Sequence, residues 1–319
     1  MRMHSPILLA PRASARSRGG APVRLIVTAV MLGMWLPATA SAADAAAAGR
    51  ASGPATALES VSLTLSSGRP LTVWLRVPEA AAQAPMPAAV VLGGFETGGG
   101  VLDLVPLEHP AILATFDYPY EAPRKLGLLS LFAELDRFRQ GVDDTIEAVV
   151  RLHDLLAARA DVDATRISVV GASAGAPFAT IGGQAAGYAG VVIVQGYGQI
   201  GTVIGHQFAL RWTRDYGAWA RWPAAALGHF VVWWLELPSP EDAARQFGPG
   251  QQVYMLDSAA DARIPAPTAD ALWAAIAASQ AEGTREQIAG GHLGGDDNDE
   301  ILARVLERCT GWLRASGLL

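Results

Sequence analysis

Five short, mainly apolar segments recur along the chain, and each is followed by a glycine or a polar residue. They are Ala88–Leu92, Ala111–Phe116, Ile167–Val170, Val191–Val194 and Val253–Leu256. A strand that is apolar along its whole length is buried on both faces, which is typical of a parallel sheet. Segments with the apolar spacing of helices lie between and after these strands, at 131–158, 269–281 and 299–315. Strands that alternate with helices predict an α/β fold, in which helices cover both faces of a doubly wound sheet.

The N-terminal segment has a composition of its own. Residues 1–42 contain five arginines, no acidic residue and the apolar run Leu25–Leu36, and they end in Ala40–Ala42. This pattern is typical of a signal peptide with its cleavage site, so we expect an exported protein, periplasmic or secreted, that begins near Ala43. An uncleaved membrane anchor is the alternative, but this run of twelve residues is short against the ~20 that cross a bilayer. We therefore expect no stable membrane span after cleavage.

The rest of the chain is interpreted as a linker followed by one domain. Residues 43–57 are rich in alanine and glycine, which predicts a flexible linker. The domain is expected at 58–319. It begins with two segments in which apolar and polar residues alternate, Val61–Leu65 and Leu71–Val77. That alternation predicts an antiparallel hairpin with one face in solvent.

Charge and cysteine content exclude two classes of function. Without residues 1–42 the chain has 19 basic and 30 acidic residues, and so acidic a surface repels the phosphate backbone of nucleic acids. The one cysteine, Cys309, cannot form an internal disulfide, and no Cys/His cluster has the spacing of a zinc site. We expect neither a nucleic-acid partner nor a metal.

The strongest motif is Gly171-Ala172-Ser173-Ala174-Gly175. It follows a predicted strand directly and precedes a helical segment, which is the setting of a G-x-S-x-G nucleophile elbow. Flanking residues must be small there because the turn is tight. Ser173 is therefore the candidate nucleophile, and the N–H of Ala174 is a candidate donor to an oxyanion.

A nucleophilic serine needs a histidine as base and an acid that orients the histidine. His292 follows a short apparent strand and lies in a glycine-rich loop near the C-terminus, so it is the candidate base. Asp257 and Asp261 both follow the strand Val253–Leu256. Asp261 is favoured because it lies further out, in the loop that leads to the next helix. These choices give the chain order serine, acid, histidine that such sites use.

The second oxyanion donor is expected in the loop after Ala88–Leu92. That loop, 93–100, contains five glycines and allows the backbone to approach a substrate. The N–H of Phe95 is the candidate.

These motifs resemble the α/β-hydrolase family over roughly Ser60 to Ala315. The resemblance lies in Gly171–Gly175, Asp163–Ile167, Asp261–Pro265 and Gly291-His292. The chain is most similar to the dienelactone-hydrolase-like and prolyl-oligopeptidase-like serine hydrolases. This resemblance implies an eight-stranded, mostly parallel sheet and hydrolysis through an acyl-enzyme. Many members begin the oxyanion loop with His-Gly, where this chain has Gly93-Gly94.

Residues 198–250 are too many for a simple connection, and they contain five of the nine tryptophans. We interpret them as a small helical, cap-like insertion that forms one wall of the pocket. Trp219, Trp233 and Trp234 are its candidate substrate-binding residues. The apolar segment Ala224–Leu235 is predicted as a helix that either packs into the core or faces an acyl chain, and we favour the core.

One further motif is typical of a different class of protein, the dinucleotide-binding proteins. Gly196–Gly201 matches the G-x-G-x-x-G of dinucleotide-binding turns. Such a site needs a second buried strand that ends in an acid about 20 residues further on, and 208–215 carries charges instead. We expect no cofactor.

The sequence thus predicts an exported serine hydrolase that cleaves a small-molecule ester or amide. An acyltransferase with the same three residues and a non-catalytic binding protein on the same scaffold are the alternatives.

Overall fold

The computed structural model describes residues 56–94, 100–105, 111–120, 131–295 and 298–319. Within these residues, eight strands form one sheet. The strands are β1 (Thr56–Thr64), β2 (Pro70–Pro78), β3 (Met86–Leu92), β4 (Ile112–Phe116), β5 (Val162–Ala172), β6 (Gly190–Val194), β7 (Gln252–Ser258) and β8 (Glu282–Ile288). The last two residues of the predicted linker 43–57 belong to β1, and its other residues lie outside the described part of the chain. The predicted signal peptide 1–42 lies outside the described residues.

The strand order is β1-β2-β4-β3-β5-β6-β7-β8. β1 pairs with β2 as the predicted antiparallel hairpin, and β2 pairs antiparallel with β4. All pairs from β4 to β8 are parallel. The prediction of a mostly parallel eight-stranded sheet is confirmed. Parallel strands end at the same edge of the sheet, so the loops after β3, β5, β6, β7 and β8 emerge together.

Helices alternate with the strands. Those described are α1 (Val101–Leu104), α2 (Leu131–Ala157), α3 (Ala176–Ala186), α4 (Ile200–Tyr216), α5 (Arg221–Leu235), α6 (Pro240–Ala244), α7 (Ala266–Ala277) and α8 (Asn298–Ala315). None of the described helices is long and apolar enough to cross a membrane.

Alternate residues of the central strands point to opposite faces of the sheet, and each face has its own core. Val191 and Ile193 of β6 pack in the cluster that α2, α3 and α7 cover. Val192 and Val194 of the same strand pack under α8. Helices therefore cover both faces, as the uninterrupted apolar strands predicted.

The helices α4 and α5 form a hairpin inside the predicted insertion. Their apolar sides meet in a separate core that includes Phe208 and Leu227. The two helices approach closely through glycines. A Cβ on Gly228 would lie 2.1 Å from the carbonyl oxygen of Gly201 and 2.4 Å from the nitrogen of Gly205. Only glycine permits this contact at position 228.

The close contact makes a stability prediction. We expect Gly228→Ala to lower the free energy of unfolding by about 1–3 kcal/mol, because the added methyl group meets backbone that must move. Gly311→Ala in α8 is the matched control, since nothing lies within 4 Å of its added Cβ. There the gain in helix propensity should raise stability by about 0.5–1 kcal/mol. Urea unfolding measures both, and an equal effect of the two substitutions would contradict the packing argument.

Candidate active site

Ser173 lies at the sharp turn between β5 and α3. Its backbone has φ +52°, a left-handed conformation that non-glycine residues rarely adopt. A short 3-10 turn over Ser173–Gly175 leads directly into α3. The strand, the strained serine and the helix that follows are the geometry expected of a nucleophile elbow.

The two glycines of the motif are required by their surroundings. A Cβ on Gly171 would lie 2.5 Å from the Cβ of Ala179 in α3. A Cβ on Gly175 would lie 2.5 Å from the carbonyl oxygen of Leu92, at the end of β3. The helix and the neighbouring strand therefore approach the turn closely. This is why the residues that flank Ser173 must be small.

A chain of two hydrogen bonds connects Ser173, His292 and Asp261. The serine Oγ lies 2.7 Å from His292 Nε2, and His292 Nδ1 lies 2.7 Å from Asp261 Oδ2. The carboxylate accepts from Nδ1–H, which leaves Nε2 free to accept from the serine hydroxyl. The imidazole and the carboxylate are both buried. Three side chains from loops after β5, β7 and β8 thus meet at one edge of the sheet.

The second carboxylate oxygen of Asp261 is satisfied by the backbone. Its Oδ1 accepts from the N–H of Arg263 at 2.8 Å and of Ile264 at 2.9 Å. Burial by itself raises the pKa of this carboxyl. The hydrogen bonds from His292, Ile264 and Arg263 outweigh burial, so the pKa lies below its ordinary value. Asp261 is therefore an anion at neutral pH.

Asp257, the other candidate acid, is engaged elsewhere. Its Oδ2 accepts from Nε of Arg285 at 2.6 Å, and the same guanidinium pairs with Asp270 at 2.9 Å. Burial raises the pKa of Asp257 more than Arg285 lowers it. The structure therefore brings Asp261, and not Asp257, to the histidine.

Of the two candidate oxyanion donors, Ala174 lies among the described residues and Phe95 does not. Ala174 is the second residue of the turn that Ser173 begins. Phe95 lies outside the described residues. The start of its loop is nevertheless beside the elbow, because the carbonyl oxygens of Leu92 and Gly93 face Gly175. The hydroxyl of Tyr118 donates to the carbonyl of Gly93 at 2.6 Å and holds that position.

The first helix of the predicted insertion touches the loop that carries the acid. His206 Nε2 donates to the carbonyl of Ala262 at 2.9 Å, and the Gln207 amide donates to that of Arg263 at 2.6 Å. Trp219 lies in the turn between the two helices, Trp233 and Trp234 lie in the last turn of α5, and all three are exposed. The expectation that the apolar helix is buried is thus right only for its inner face. A role of these tryptophans in substrate binding stays a prediction.

The glycine-rich turn Gly196–Gly201 is occupied by a carboxylate of the chain itself. Glu241 Oε1 accepts from the N–H of Gln199 at 2.5 Å. A Cβ on Gly198 would lie 2.5 Å from that same oxygen. A negative group at the start of a helix takes the place that a pyrophosphate needs. This geometry argues against dinucleotide binding at the turn.

Gln195 is a site residue that the sequence analysis missed. It follows β6, is buried and has φ +49°. Its Nε2 donates to Ser258 Oγ at 2.6 Å and to the carbonyl of Gly291 at 3.1 Å, and its Oε1 accepts from the N–H of Leu293 at 2.9 Å. The amide therefore fixes the residues on both sides of His292. The available signal was a glutamine directly after an apolar strand, between the strands of the serine and the acid.

We expect Gln195→Met to lower kcat about 10- to 100-fold with KM nearly unchanged, because a displaced histidine loop misaligns the base. Gln251 provides a matched control. It is also a buried glutamine, and its amide donates to the carbonyls of Gly183 and Tyr188 and accepts from the N–H of Gly248. It lies before β7, at the opposite edge of the sheet. Steady-state kinetics and thermal unfolding of both variants decide the matter, and an equal loss of kcat in Gln251→Met would contradict a positioning role.

The described residues hold no group of three or more His, Cys, Asp or Glu side chains that could bind a metal ion. No protein-family model matches the chain, and no protein with a curated description matches it.

Several solved structures are similar to this one. An esterase from Pyrococcus furiosus has a TM-score of 0.55 and 13% identity over 82% of this chain and 91% of the esterase. The 2,6-dihydroxy-pseudo-oxynicotine hydrolase has a TM-score of 0.52 and 19% identity over 78% and 67% of the two chains. The acylaminoacyl peptidase of Pyrococcus horikoshii has a TM-score of 0.56 and 11% identity over 81% of this chain and 41% of the peptidase.

At these identities the similarity establishes architecture and leaves activity to the site itself. The sheet order, the turn at Ser173 and the solved structures agree. The chain has the α/β-hydrolase fold.

Proposed function

We propose that this protein is a serine hydrolase that cleaves an ester bond, with amides as the second substrate class. The observation that carries the proposal is the hydrogen-bonded chain from Ser173 through His292 to Asp261, with 2.7 Å at each step. The solved structures with this fold include an esterase and two further hydrolases, which supports the same reaction type.

In the proposed mechanism, the hydroxyl of Ser173 attacks the substrate carbonyl while Nε2 of His292 takes its proton. The anionic Asp261 keeps the imidazole in the required tautomer and stabilises the imidazolium that forms. The N–H groups of Ala174 and Phe95 are proposed to stabilise the oxyanion. Collapse of the tetrahedral intermediate expels the alcohol, which takes the proton from Nε2. A water activated by His292 then hydrolyses the acyl-enzyme by the same steps. These steps use only side chains, backbone N–H groups and water.

A substrate panel tests the reaction. Chromogenic esters with acyl chains of two to about twelve carbons, and the matching anilides, are incubated with the protein, with and without an added alcohol. The proposal predicts release of free acid from the esters, a smaller rate on the anilides and loss of both in Ser173→Ala. Acyl transfer to the alcohol in preference to water would make the protein an acyltransferase. No turnover of any ester by folded protein would contradict the proposal.

We also propose that the protein is exported after removal of residues 1–42. The support is the arginine-bearing segment, the apolar run Leu25–Leu36 and the small residues Ala40–Ala42. Intact-mass measurement of the protein recovered from the expressing cell tests this. A mass that corresponds to a start near Ala43 is expected, and a full-length mass in the membrane fraction would show an anchor instead.

A further inference from the structure

A row of aromatic side chains is exposed on the α4–α5 hairpin and on the turn between its helices. It consists of Tyr216, Trp219, Trp222, Trp233 and the partly exposed Trp234, and we call it the aromatic face. Trp219, Trp222 and Trp233 are 67%, 69% and 71% exposed. Single apolar side chains on a surface are ordinary, but a contiguous apolar patch marks an interaction surface.

The aromatic face continues along α5. Trp222 and Trp233 are eleven residues apart, which is about three helical turns, so both project from one side of the helix, about 16 Å apart. The exposed residues between them on that side are Ala225, Ala226 and His229. No acidic side chain interrupts this side of the helix. At two-thirds exposure the indole rings protrude into solvent.

The hairpin cannot hide these rings by rotating α5. Its opposite side is buried through Leu227, Val231 and Leu235. The contact of Gly228 with the backbone of Gly201 fixes how the two helices pack. Exposure of the aromatic face is therefore built into the packing of the hairpin.

Basic residues accompany the aromatic face, although the chain as a whole is acidic. Between residues 200 and 236 there are three arginines and two acids, Asp215 and Glu236, and Glu236 is paired with Arg139 at 3.2 Å. Arg214 and Arg221 are exposed near the turn. The guanidinium of Arg221 lies 5.2 Å from the centre of the Trp222 ring. A locally positive, aromatic surface is complementary to a negatively charged one, whereas a second copy of the same surface would bring arginine against arginine.

We propose that the aromatic face docks on a lipid bilayer with anionic headgroups. Tryptophan and tyrosine prefer the interface of a bilayer because they have an apolar ring and a polar N–H or O–H. Arg214 and Arg221 would contact the lipid phosphates, as basic residues beside a membrane do. The docking is peripheral and does not depend on the proposed hydrolase activity.

Co-sedimentation of the full chain with vesicles tests the proposal. Vesicles of phosphatidylglycerol and phosphatidylcholine are compared with vesicles of phosphatidylcholine alone. The double variant Trp222→Ser/Trp233→Ser is expected to lower the partition coefficient about tenfold or more. The double variant Arg214→Ala/Arg221→Ala is expected to lower it about fivefold per arginine, on the anionic vesicles only.

Two controls match these variants in exposure and lie elsewhere. Leu58 of β1 is as exposed as Trp233, at 71%, and Arg308 lies on α8. We expect Leu58→Ser and Arg308→Ala to bind as the unchanged protein does. Quenching of tryptophan fluorescence by brominated lipid should be strong in the unchanged protein and weak in the double tryptophan variant.

Three results would overturn the proposal. The first is absence of binding, or equal binding to neutral vesicles. The second is binding that the double tryptophan variant retains, which would assign it to another part of the chain. The third is a dimer that the tryptophan substitutions dissociate without any effect on vesicle binding, which would make the face a contact between copies.

Discussion

We expect Ser173→Ala to lower kcat on any ester substrate about 10⁶-fold, to a rate set by binding and the oxyanion donors alone. The hydroxyl is the group that forms the covalent bond in the proposed mechanism, and it lies 2.7 Å from Nε2 of His292. The substitution removes only the hydroxyl oxygen from a turn whose flanking glycines are unchanged. Stability in urea should therefore change little.

The companion variant His292→Ala should lose activity to a similar extent, and the double variant should be no worse than either single one. Groups that act as one unit show this lack of additivity. Additive losses would mean that the two side chains do not share a step. Measurable turnover by Ser173→Ala above a few parts in 10⁴ of the original kcat would exclude Ser173 as the nucleophile.

We expect Asp261→Asn to lower kcat about 10⁴-fold. An asparagine at this position still accepts from the N–H groups of Arg263 and Ile264, so the loop keeps its shape. It no longer offers a negative charge to Nδ1–H, and its amide favours the wrong tautomer of His292. The cost should fall on kcat, while the free energy of unfolding changes by less than about 1 kcal/mol.

Asp257→Asn is the matched control, and the opposite outcome is expected. Removal of this carboxylate leaves Arg285 without its partner at 2.6 Å in a partly buried site. We expect a loss of about 1–3 kcal/mol in stability and a kcat close to that of the unchanged protein. Kinetics and urea unfolding give kcat and the free energy of unfolding for each of the two variants. A fall of kcat in Asp257→Asn that equals the fall in Asp261→Asn would contradict the assignment of the acid.

Much of this fold follows from local sequence patterns. The β6 segment Val191–Val194 is apolar at every position because both of its faces are covered, and the alternating segment Leu71–Val77 lies near the edge of the sheet. The G-x-S-x-G motif identified Ser173 because the turn admits only small neighbours. His292 and Asp261 could be chosen because they follow later strands, and parallel strands end at one edge.

Other features depend on contacts between distant segments. Gln195 and His292 are far apart in sequence, and nothing local shows that an amide after β6 reaches the loop after β8. The helix Arg221–Leu235 is apolar on both sides, and periodicity alone did not tell which side the hairpin buries. Its inner side is fixed by the contact of Gly228 with α4, so the tryptophans are left outside.

The most direct test of the central claim is covalent labelling with a fluorophosphonate, located by mass spectrometry. Such a probe reacts with a serine only where a base activates the hydroxyl. We expect one adduct on the folded protein, at Ser173, which is lost in His292→Ala and kept in Gln251→Met. An unlabelled folded protein, an adduct at another residue, or labelling of Ser173 that persists in His292→Ala would contradict it.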